Sequence, residues 1–205
     1  MSATFSGGGW PAALGLLGTM ALAATPARAT TTPAPAVEAR WAVVTQDATP
    51  LRAGPRDSAA QQAVLWPGDL VEWRGVRLDH VQVWDHRRER AGFIRAGQLR
   101  IMPLGDPAAA PELKAVLRFL RDQPGVESLG IAYAAAYLKA APALDAEAFD
   151  AIGQMAERLG RRAGQRQAGA ATAAQLEVVA GYGVRFQPVE RDGTITLCSD
   201  GAADR

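Results

Sequence analysis

Pro67-Gly68-Asp69-Leu70-Val71-Glu72-Trp73-Arg74-Gly75 (residues 67–75) decides how the first half of this chain folds. Pro-Gly-Asp is turn chemistry, with glycine free to take a positive φ and aspartate able to bond nearby amides. The residues after it alternate with period two, which places Val71 and Trp73 on an inward face and Leu70, Glu72 and Arg74 on the other. Arg74-Gly75 ends the run. The next apolar stretch, His80-Val81-Gln82-Val83-Trp84, alternates the same way: Val81 and Val83 inward, His80 and Gln82 outward. Working outward, WAVVT (41–45), AVLW (63–66) and GFI (92–94) are further strand candidates, and Ala53-Gly54-Pro55 is a further turn in which Gly54 supplies a positive φ. Short strands broken by turns roughly every 8–12 residues favour a sandwich or a barrel.

With these residues in order, the segment 40–101 resembles the bacterial SH3-like (SH3b) family. Pro50-Leu51-Arg52-Ala53-Gly54-Pro55 is similar to the family's Asn-Val-Arg-Ser-Gly-Pro stretch, and residues 67–73 to its Lys-Gly-Asp-x-Val-x-Val strand start. His80-Val81-Gln82-Val83 falls on Trp-x-Lys-Val, Ala91-Gly92-Phe93-Ile94 on Thr-Gly-Trp-Val, and Leu99 on the closing strand. His80 and Phe93 stand where the family usually has tryptophan. The resemblance implies a small β-barrel that reads an extended peptide or glycopeptide in a shallow groove, with aromatics supplying contact area. The groove candidates it implies are Arg52, Trp66, Trp73, His80, Trp84 and Phe93. Any one of the tryptophans, Trp41 included, also fits a place in the core of so small a barrel. Gly92 is expected to let two backbones approach closely.

His86-Arg87-Arg88-Glu89-Arg90 connects two of these strands. It reads either as a holder of an anionic ligand or as a solvated connection. His80 and His86 form no metal motif, and no metal or other cofactor is expected.

From residue 111 the apolar period changes to 3.6. Pro111 suits a first helical turn, and Leu113, Val116, Leu117 and Leu120 form one stripe before Pro124-Gly125. A second helix is predicted over 127–141, with Leu129, Ala132, Tyr133, Ala136 and Tyr137 on one side. Asp145 is a good N-cap for a third, whose buried face is expected to be Phe149, Ile152, Ala156 and Leu159. A fourth is predicted over 171–181, packing through Leu176, Val179 and Ala180. Arg158, Arg161, Arg162 and Arg166 read as a basic stripe for anionic surfaces or as cations meeting a helix C-terminus. Asp192-Gly193 between alternating runs marks a β-hairpin over 184–198. The expected fold class is therefore α+β: an SH3-like barrel (40–101), a short antiparallel helical bundle (111–182) and the hairpin.

Residues 11–24 form an apolar run of secretory-signal length, and Ala27-Arg28-Ala29 supplies a small-x-small cleavage pattern. Cleavage after Ala29 is expected, giving a periplasmic or secreted protein that meets the membrane only during export. Residues 30–39, rich in Thr, Pro and Ala, read as a flexible tether. The chain carries 22 Lys and Arg against 21 Asp and Glu, which argues against a surface built for nucleic acid. The single cysteine, Cys198, allows no intrachain disulfide.

Catalysis finds little to build on. A cysteine peptidase needs a histidine to activate its thiolate, yet both histidines precede Cys198 by far and lie in the barrel segment. No Gly-x-Ser-x-Gly turn occurs, and carboxylate pairs for glycoside hydrolysis are plentiful but undistinguished. No catalytic residue is assigned. The expected function is non-catalytic recognition of a peptide, a cell-wall fragment or an envelope protein. The alternatives are a structural assembly subunit that uses the barrel for protein contact, and an accessory part of a cell-wall hydrolase.

Overall fold

Trp41, Ala42, Val43 and Val44 run consecutively through one strand, and the last three are wholly buried. Period-two geometry sends Ala42 and Val44 one way and Trp41 and Val43 the other. A strand buried on both faces has to lie between two layers, and the computed structural model, which describes residues 40–165, 169–191 and 194–199, places it there. The leader, cleavage and tether readings fall on residues 1–39, outside the described residues.

The fold is mixed α and β: a seven-stranded antiparallel sheet and four helices. The strands are β1 (Arg40–Val44), β2 (Thr49–Arg52), β3 (Gln61–Leu65), β4 (Leu70–Arg77), β5 (His80–Asp85), β6 (Arg90–Arg95) and β7 (Leu99–Met102). Their hydrogen-bonded order is β3-β2-β6-β5-β4-β1-β7. The ladder has two ends, β3 and β7, so the closed barrel expected from the sequence is not formed. The sheet nevertheless encloses its own core, because Ala42, Val44, Leu51, Leu65, Val71, Val81, Val83, Ile94 and Leu99 from all seven strands make one buried cluster. Gly92 meets its expectation: a Cβ there would overlap Leu51. Gly54 does not, since the positive-φ glycines are Gly68, Gly105, Gly125 and Gly183.

β2 has no counterpart among the strands read from the sequence, since Pro50 removes a ladder donor. Pro50 pairs with Val64 of β3, and only Arg52 reaches β6, so the proline sits where the strand has a partner on one side alone.

The other face of β1 meets the helices. Val43 and Met102 belong to the helical core, and Trp41 and Leu70 pack against it. Sheet and helices thus share one compact unit. The helices are α1 (Ala110–Arg121), α2 (Glu127–Ala140), α3 (Ala146–Ala163) and α4 (Ala170–Ala180). α2 is the hub, buried around most of its circumference and packed against all three other helices. Asp145 caps α3 as expected, accepting the Glu147 amide at 2.9 Å.

The buried face of α3 differs from the expected stripe. Ala148, Ala151, Met155, Ala156, Leu159 and Gly160 are buried, Ile152 is half-buried, and Phe149 is 50% exposed. Small residues win the contact because they let α3 approach α2 closely, where Met155 fills the space beside Gly130. The arginines of α3 do not form a free basic stripe either. Arg162 bonds the buried Glu127 carboxylate at 2.7 Å, Arg158 lies 3.7 Å from it, and Arg161 pairs with Glu157. Arg166 lies outside the described residues.

The C-terminal hairpin pairs β8 (Phe186–Arg191) with β9 (Thr194–Ser199), with Arg191 opposite Thr194. Its expected Asp192-Gly193 turn lies outside the described residues. Among the described residues no helix is long and apolar enough to cross a membrane.

Candidate cleft between the sheet and the helices

The turn Pro67-Gly68-Asp69, read from the sequence as a strand opener, is also where the sheet docks on the helices. Gly68 takes φ +94°, and a Cβ there would lie 2.6 Å from the Ser128 carbonyl oxygen and 3.1 Å from Val178. No other residue fits both the conformation and the space. The buried Ser128 hydroxyl donates to the Pro67 carbonyl at 2.6 Å, and the Tyr182 hydroxyl donates to the Gly68 carbonyl at 2.6 Å. Burial raises the Tyr182 phenol above its ordinary value.

Asp69 completes the turn. Its Oδ2 accepts the Trp66 amide at 2.9 Å and its Oδ1 accepts an N–H of Arg87 at 3.0 Å. Burial pushes its carboxyl above the usual range, against the Trp66 amide and the Arg88 and Arg87 guanidiniums, which favour the charged form. Asp85 then shapes the next loop, accepting the backbone amides of Arg87 and Arg88 and the Arg88 guanidinium. Residues 86–89 are therefore a built turn held by two carboxylates, each with 1% of its side chain exposed.

Above this floor lies a cleft of about 220 Å3, lined by Trp41, Leu70, His86, Arg87, Lys139, Val178, Gly181 and Tyr182, with Gly68 and Asp69 at the bottom. The His86 ring lies tilted by 37° beside Trp41 at 5.3 Å and meets Trp84 edge-on at 6.3 Å. Its Nε2 lies 2.8 Å from Glu72 Oε2. Lys139 is exposed and has no ion-pair partner among the described residues. Aromatic and aliphatic walls with a few convergent polar groups are the usual make-up of a small ligand site. The crevice between α1 and α3, lined by Lys114, Arg118, Arg121 and Glu147, has no room for a water molecule.

The six groove candidates do not converge. Arg52 and Phe93 pair across β2 and β6, and the Arg52 guanidinium is turned to the Ala59 carbonyl at 3.0 Å. Trp73 packs against the enclosed core of the sheet, with Arg40 5.6 Å over its ring. Trp66, half-buried, precedes the docking turn. Trp84 alone approaches the cleft, through His86. His80, expected to face outward, is 1% exposed. Its Nδ1 lies 2.7 Å from Asp79, and the Asp57–Arg95 pair lies beside it. Its Nε2 has no hydrogen-bond partner and lies 3.6 Å from Asp57; burial at the start of β5 prevails over strand alternation and takes the ring out of any surface groove.

Of the cleft residues, His86 and Arg87 had a sequence signal in the anion-holding reading of their loop, and Trp41 in its aromatic character. Lys139, Val178 and Tyr182 had none, because they reach the site from α2, α4 and the turn after α4, distant in sequence. Among the described residues no group of three His, Cys, Asp or Glu side chains is placed to hold a metal ion. Comparison with known protein families finds no match, and comparison with curated proteins finds none either.

Proposed function

We propose that this chain is an exported, non-catalytic binding protein of the bacterial cell envelope, in which an SH3-like sheet and its helical partner hold a peptide or cell-wall fragment between them. The observation that carries the reading is the cleft: Trp41, His86, Arg87, Lys139 and Tyr182 come from both parts and meet over a floor fixed by buried hydrogen bonds. A floor fixed before ligand arrives lowers the ordering cost of binding. The order of motifs shared with SH3b domains and the leader-like residues 11–29 support the module and its location. No cofactor enters this reading.

The test is co-sedimentation of the purified protein with isolated peptidoglycan sacculi. Sedimentation that soluble muropeptides compete away supports recognition of the cell wall. Protein that stays in the supernatant transfers the proposal to an envelope protein as partner.

A second reading has its own observation. Val43 and Met102 leave the sheet to join the helical core, so the sheet serves as a wall of the helical layer as well as a module. A structural subunit would use it so. On His86→Ala, loss of ligand binding with folding retained supports recognition, and loss of folding alone supports the structural role.

A further inference from the structure

The chemistry of the cleft is specific enough to name what it takes. The cleft has a volume of about 220 Å3 and opens to solvent. Such a cleft takes the end of a chain, with the remainder of the ligand lying in solvent. Trp41, Leu70 and Val178 give it an apolar wall. Two permanent cations, Arg87 and Lys139, share the lining with one carboxylate, Asp69. Both oxygens of that carboxylate are engaged and its side chain is 1% exposed. Asp69 therefore orients Arg87 from below and offsets one of the two cations, which leaves the lining an excess of one positive charge. Arg87 spends one N–H on it and keeps 37% of its side chain exposed, which leaves donors from a fork of five for an anion.

We propose that this cleft binds the free C-terminal carboxylate of a short peptide, with Arg87 and Lys139 on the carboxylate and Trp41, Leu70 and Val178 around an apolar last side chain. This rests on the binding role proposed above and names the ligand group for it.

Titration of the purified protein with N-acetyl-Ala-Ala-Leu and with its C-terminal amide, followed by calorimetry, tests the assignment. The acid binds at least tenfold more tightly than the amide, and the difference shrinks with added salt. Lys139→Ala lowers affinity for the acid about tenfold and leaves the amide unchanged, while Lys139→Arg keeps most of the acid preference. Lys139 is exposed, so a far-UV spectrum and melting temperature equal to wild type accompany the loss. Equal affinity for acid and amide, or no binding of either at millimolar concentration, overturns the proposal. A blocked peptide with an internal aspartate that binds as tightly as the acid overturns the chain-terminus assignment. Acetate displacing the peptide at equal concentration overturns the apolar half. If sacculi still bind while acid and amide do not differ, only this assignment fails. If neither experiment shows binding, the cell-wall reading fails with it and the proposal passes to an envelope protein as partner.

Discussion

At the junction of sheet and helices, Asp69 accepts the Trp66 amide and an Arg87 N–H with 1% of its side chain exposed. At the corner of α1 and α3, Asp145 accepts the Glu147 amide at 2.9 Å and the Lys114 ammonium at 2.6 Å with 17% exposed. The two carboxylates cap a backbone turn in the same manner and carry opposite electrostatics. Burial raises the Asp69 carboxyl. Lys114 first, and then the Tyr137 hydroxyl, lower that of Asp145 to about 2. Glu147 beside it is held at about 2 by Arg118 and then Lys114. A capping aspartate in water stabilises as an ion, whereas one under a domain junction orients its neighbours at an electrostatic cost. The first kind marks a stable corner and the second a site.

The hardest blow to the junction is Gly68→Ala. It demands a positive φ of an L-residue and drives a Cβ to 2.6 Å from the Ser128 carbonyl oxygen, at a cost of about 2–5 kcal/mol. Chemical denaturation is expected to show that loss, and an unchanged midpoint would refute the docking role of the turn. Ser128→Ala leaves the Pro67 carbonyl without its buried donor and costs about 1–2 kcal/mol by the same measurement.

Acid sharpens the contrast, because the signs differ. The folded Asp145 and Glu147 pKa values, both about 2, are depressed. Their stabilisation is full above the unfolded values of about 3.9 and 4.3 and fades as pH falls toward 2. The melting-temperature advantage of wild type over Asp145→Asn therefore shrinks on acidification. Asp69 has a raised folded pKa, so the folded state binds its proton more tightly, and stability is lost as pH rises above the unfolded value through the folded one. The advantage of wild type over Asp69→Asn therefore grows as pH falls from 7 to 4. Parallel trends in the two variants would erase the distinction. Lys114→Ala is the mildest test, a small salt-sensitive fall in melting temperature at neutral pH.

The sequence was most legible where local chemistry and packing agree. Pro67-Gly68-Asp69 opens β4, Val71, Val81 and Val83 lie at 0% exposure in the sheet core, and Asp145 caps α3. Legibility failed where a residue answers to a second layer. Leu70 reads as outward from β4 and does leave the sheet core, only to pack on the helices. Phe149 has the apolarity of a core residue, yet Ala148 and Ala151 take the contact by being small. The expected groove followed tryptophans along the sheet, but part of the cleft comes from Lys139, Val178 and Tyr182, which no local pattern ties to Trp41.

The two-sided burial of β1 also sets a timetable for folding. The strand lies between β4 and β7, and its partners arrive late: Leu70 of β4, which pairs with Val43, follows about 27 residues later, and Leu99 of β7, which faces Val44, about 55 residues later, or about 3–11 s at roughly 5–20 residues per second of synthesis. The helices that cover Val43 come later still. During that interval the helix-facing side of β1 is synthesised without its cover, which makes Trp41–Val44 the segment for a holding chaperone to engage and the place where slow folding first becomes aggregation.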